Sequence, residues 1–77
     1  MELLEQKLKL WQDKLVKLEA DFKSTMIRRG EAIAMGDLRE NAAFQMLDED
    51  KDTIRVRIDE IKKIIAKIED EIEAKKS

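Results

Sequence analysis

The sequence predicts an all-α fold, an antiparallel two-helix coiled-coil hairpin, and three observations predict it. Apolar residues recur at heptad spacing in two long stretches. The chain has no proline, and its two glycines fall near the middle. Charged residues make up 44 % and apolar residues 43 %, the balance of long helices with charged surfaces rather than of a disordered chain.

The first helix is expected over residues 2–35. Leu4, Leu8, Trp11, Leu15, Leu18 and Phe22 follow one another at intervals of 4, 3, 4, 3 and 4. That pattern is a narrow seam rather than the broad apolar face of a globular helix. The seam weakens toward Gly30, because Thr25 and Arg29 occupy its heptad positions. A glycine inside a helix costs about 1 kcal/mol relative to alanine, so a kink or a looser turn is expected there.

The turn is expected at residues 36–37. Gly36 suits the left-handed backbone that ends a helix, and Asp37 suits the cap of the next one. Glu40 follows Asp37 by three residues, an acidic form of the capping box. So short a connection forces the helices antiparallel.

The second helix is expected over residues 38–74, with fraying after Ile72. Its seam is Phe44, Leu47, Ile54, Ile58, Ile61, Ile65, Ile68 and Ile72, with Lys51 at one position that should be apolar. Arms of about 32 residues at roughly 1.5 Å per residue make a rod of about 45–50 Å. Met35, Met46, Ile33 and Phe44 are expected to form an apolar plug beneath the tip. Five acid-before-base pairs four residues apart (Glu5–Lys9, Asp13–Lys17, Glu19–Lys23, Asp59–Lys63 and Glu71–Lys75) are expected on the solvent faces. Each adds about 0.2–0.5 kcal/mol to an isolated helix. The isoleucine-rich arm also raises the prospect of two hairpins pairing as a homodimeric four-helix bundle.

Counting excludes whole chemistries. Without cysteine or histidine there is no zinc finger, thiol nucleophile, imidazole base or disulfide frame. Any metal must be held by carboxylates, which suit Mg²⁺ or Mn²⁺. The longest apolar run is Ala32-Ile33-Ala34-Met35, too short for a membrane span, and Met1-Glu2-Leu3-Leu4-Glu5 lacks signal-peptide character. A cytoplasmic location is expected. Net charge is −2, but residues 36–53 hold six acids and two bases while both arms are near neutral. A nucleic-acid binder would carry a basic stripe instead. Arg28, Arg29 and Arg39, near the turn, are candidates for touching a phosphate, with a solvated face as the competing reading. Asp48-Glu49-Asp50 reads as a solvated face.

The turn itself reads Gly36-Asp37-Leu38-Arg39-Glu40-Asn41-Ala42-Ala43-Phe44. It resembles the tip of the N-terminal coiled-coil domain of the bacterial Gre transcript cleavage factors, whose pattern is Gly-Asp-Leu-x-Glu-Asn-Ala-x-aromatic. The likeness extends to Glu31-Ala32-Ile33-Ala34 before the glycine and to Glu49, Ile54, Arg57 and Ile58 after it. It implies a transcription elongation factor that inserts its tip into the secondary channel of bacterial RNA polymerase and promotes cleavage of backtracked transcripts. The factor would not be an enzyme in its own right but a protein cofactor for the polymerase's nuclease activity. Asp37 and Glu40 would be the catalytic acids, sharing Mg²⁺ with polymerase and holding no cofactor stably. Arg28, Arg29, Arg39, Asn41 and Phe44 would be the contacts to polymerase or its nascent RNA. Two departures stand out. Ala43 occupies a position where many members carry an acid, and Phe44 lacks a hydroxyl. The family's C-terminal globular domain has no counterpart in these 77 residues, so the chain reads as a one-domain relative or a fragment.

Two other function classes fit the same residues. A channel-occupying regulator without cleavage activity, or a plain dimerising hairpin, needs no chemistry at the tip. In the second case Asp37 and Glu40 act only as a cap and its partner, worth about 1 kcal/mol. A free-standing metal nuclease is disfavoured, because two carboxylates on an exposed tip make no pocket.

Overall fold

The computed structural model describes residues 2–36 and 42–76. Two helices account for nearly all of them: α1, Leu3–Ala34, and α2, Ala42–Lys76. They pack along their length as one rod with extents of 58 × 17 × 13 Å, longer than the arm length alone suggested. The fold class is the expected one, an antiparallel helical hairpin.

The heptad positions decide what is buried. Ile58, Ile61, Ile65 and Ile68 of α2 and Ala32 of α1 are buried, while Leu4, Leu8, Trp11, Leu15, Leu18 and Phe22 are half-buried. The partial exposure follows from geometry. A two-helix rod covers only the line of contact, so seam side chains at its edge, Ile54 and Ile72 of α2 among them, stay partly in water. Lys14 uses one such edge, its ammonium lying 4.6 Å from the centre of the Trp11 ring.

α1 stays helical through Gly30, and its seam continues past the glycine to buried Ala32. Several expectations are corrected. α2 stays helical past Ile72 and reaches Lys76, two residues beyond the expected 74. Lys75 and Lys76 favour the negative end of the helix dipole, and Lys75 Nζ also reaches Glu2 Oε1, at the start of α1, at 3.3 Å. The apolar plug does not form. Met35 is 84 % and Met46 64 % exposed, because neither lies on the seam, and Ile33 is exposed as well. None of the five intrahelical pairs closes to an ion pair, as is common for exposed side chains that lose entropy when fixed.

The exposed aliphatics do not form a second seam. Leu3 and Leu10 share one flank, whereas Val16 and Ile27 lie on the side away from α2. Among the described residues, no helix is long and apolar enough to cross a membrane.

Candidate functional site

α1 ends at Ala34. The Met35 backbone N–H donates to the Ala32 carbonyl at 3.3 Å, closing a last tight turn. Gly36 then takes φ = +139°, a backbone region where an L side chain is strained, and the chain turns away from the helix axis. α2 starts its return at Ala42. The second residue of the expected turn, Asp37, and the expected start of the second helix at 38 lie outside the described residues, as do Arg39, Glu40 and Asn41. The capping box and the paired acids are therefore residues of the sequence between two described helix ends.

Directly beneath the tip, the structure assembles a polar layer. Arg29 occupies a seam position of α1 and donates from Nε to Asp48 Oδ1 of α2 at 2.8 Å. Lys51, at the apolar-pattern position of α2, donates from Nζ to the same oxygen at 3.1 Å and lies 3.5 Å from Asp52 Oδ1. The Lys51 side chain is only 17 % exposed, so its charge lies largely within the interface. The Arg29 guanidinium also lies 4.9 Å from the centre of the Phe44 ring, which seats it between an acid and an aromatic face. The Arg29 and Lys51 hydrogen bonds, in that order, hold the Asp48 carboxyl below the usual carboxylate range.

These placements sort the candidate residues. Arg28 is exposed and available to a partner. Arg29 and Phe44 are engaged with each other, and Arg29 also with the partner helix through Asp48. Asp48, its side chain 39 % exposed, lies at the edge of the solvated face and is paired with Arg29 and Lys51, whereas Glu49 and Asp50 beside it are exposed. Two cations at seam positions, Arg29 and Lys51, were the signal for this layer, since like charges in an interface require an acid between them. Among the described residues, no group of three acids could hold a metal ion. The surface grooves run along the flanks of the seam, one of them past Trp11, Leu18, Ile61 and Ile64, and stay open to water.

Comparison with known proteins bears on the tip. Residues 2–69 match the family model described as transcription elongation factor, N-terminal, that of the Gre factors. The match covers both arms and the whole tip motif. No curated protein and no solved structure compared with the chain matches it.

Proposed function

The chain belongs to the N-terminal domain family of the Gre transcription elongation factors, and from that premise we propose that it enters the secondary channel of bacterial RNA polymerase and promotes cleavage of backtracked transcripts. The observation that carries this reading is the unbroken tip motif, Gly36 to Phe44, at the reversal of a hairpin matched along both arms. A rod 58 Å long and 17 Å or less in its other dimensions suits delivery of a few side chains down a narrow passage. The catalytic centre in this reading belongs to polymerase, the chain being its protein cofactor, and the setting is the cytoplasm.

Asp37 and Glu40 are the residues that act at that centre. Three positions apart in the sequence, they would share one side of a helical turn and could aim at one point. Two carboxylates are too few to cage Mg²⁺, which keeps several waters or takes other ligands, so they fit an ion shared with polymerase. Such an ion, when bound, activates water and offsets charge on the scissile phosphate. The chain's own part is to bring both carboxylates there, and Arg28 and Arg39 supply positive charge for nearby phosphates.

The test separates chemistry from folding. Asn caps a helix as well as Asp does, and Gln can serve in the capping box. Asp37→Asn/Glu40→Gln should therefore leave stability within about 1 kcal/mol, since only the dipole contribution is lost. Stimulation of transcript cleavage on stalled complexes should fall sharply while binding to polymerase persists. The reading fails if the wild-type chain, at saturating concentration, gives no more cleavage than the double variant. Channel occupancy without cleavage is then the surviving version.

A further inference from the structure

Most of the seam cannot distinguish one register from another. α2 offers isoleucine at 54, 58, 61, 65, 68 and 72, and α1 offers leucine at 4, 8, 15 and 18. Sliding one helix by a heptad sets aliphatic against aliphatic again. Yet three cross-helix contacts define a single register, while a fourth, Arg29 with Phe44, reaches diagonally one helical turn toward the tip. The three are Glu2 with Lys75 at the base, Phe22 with Arg55 in the middle, and Arg29 with Asp48 beneath the tip. In all three pairs the residue numbers add to 77, so the ladder is unbroken and its centre falls between residues 38 and 39. That centre is midway between Asp37 and Glu40.

A slide of one heptad moves that centre by about three and a half residues, to about 35 or 42. One helix would then be displaced by up to about 10 Å along the other, and both positions 37 and 40 would fall on the same side of that centre in sequence. In one slid register Arg29 stands opposite Asn41, and in the other opposite Arg55. Neither supplies the carboxylate that Asp48 supplies, and the second adds a like charge. The contacts at Phe22 and Glu2 discriminate less, since one is a single ring contact and the other an exposed pair at the open end of the rod.

We infer that the Arg29–Asp48–Lys51 layer is the register key of the hairpin, fixing which residues of α1 stand opposite which of α2. Polar groups in otherwise uniform seams do this elsewhere, trading stability for a single alignment. The three are positioning residues, and only their consequence for cleavage rests on the proposed role of the tip.

The absence of cysteine makes the register directly measurable. Spin labels on Lys9→Cys and Val56→Cys, both exposed and remote from the layer, report the slide of one arm along the other. With the native layer, one narrow label separation is expected. Replacing the layer with apolar side chains, Arg29→Leu/Asp48→Ala/Lys51→Ile, should keep helicity and melting temperature but split or broaden the separations by up to about 10 Å. Cleavage stimulation should fall about tenfold or more, because a displacement of several ångströms takes the acids away from their target. A layer that merely contributed stability would instead lower the melting temperature and leave the separation unchanged. Retention of the single native separation in the apolar variant overturns the inference. Should that variant not fold, Asp48→Asn, which keeps shape and removes charge, is read in the same way, and Asp48→Glu should restore the narrow separation. A broadened register with undiminished cleavage overturns the link to the tip. Because the distances are measured on the chain alone, a native chain without cleavage activity defeats the tip reading and leaves the register result standing.

Discussion

Asp48 shows how a single side chain changes role when the second helix arrives. In the sequence it opens a run of three acids. In the hairpin it is faced by Arg29 from α1 and by Lys51 from its own helix, with Asp52 beyond Lys51. Both hydrogen bonds favour the ionised form, Arg29 most, so the folded carboxyl titrates below its unfolded value. By linkage, its contribution is present above the unfolded value, about 4, and disappears as pH falls through the lower folded one. A carboxyl-carbon NMR titration should place the Asp48 midpoint below the ordinary aspartate range, and Asp48→Asn should remove the acid sensitivity of the contact. A midpoint in the ordinary range contradicts the geometry. Gly36 is the other residue whose identity the backbone dictates. A Cβ there meets nothing within 4 Å, so Gly36→Ala should destabilise through its φ of +139° alone. The expected loss is about 1–2 kcal/mol, measured by denaturant titration.

The two helices differ in what holds them. α1 crosses Gly30 without interruption, and a Cβ at that position would meet nothing within 4 Å. Gly30→Ala should therefore raise stability by about 0.5–1 kcal/mol, by restoring helix propensity and restricting the unfolded chain. A lower melting temperature would mean that the glycine serves a distortion of α1. Among the described residues α2 carries four of the five that are buried, so its stability depends on its partner rather than on its exposed charges. That explains why both expected weak points, Gly30 and the stretch after Ile72, stay helical. Packing and the Lys75–Glu2 contact outweigh local cost.

The molecule as a whole is a single line of contact with no layer behind it. Every part of the core is shared between both helices, so loss of one layer is felt by the entire rod. Ile61→Ala removes a buried side chain near the middle of α2 and should cost about 2–3 kcal/mol, the lower part of the usual range, because the open flank lets the gap collapse or fill with water. For a chain of this size that is a fall in melting temperature of about 10 °C or more, and helicity should disappear from both arms in one transition. Separate melting of α1 and α2 would refute the single core. Pairing of two hairpins receives little support from the outer surface, where exposed aliphatics are spread over several faces. The elongated shape instead separates the tip from the base by most of the 58 Å length.

What the sequence determined was everything that a one-dimensional repeat can carry. Heptad spacing specified two helices and their facing residues, from Leu4 to Phe22 and from Phe44 to Ile72, and Gly36 marked the reversal between them. The tip motif specified the family. The tertiary structure decided what depends on which residue meets which across the rod. Met35, Met46 and Ile33 are apolar yet stay in water, because only side chains on the line of contact are covered. Arg29 and Lys51 are charged yet lie at that line, because Asp48 comes between them. An aliphatic heptad repeat is periodic and leaves its alignment open, and alignment is settled only when particular charges on two helices stand opposite each other.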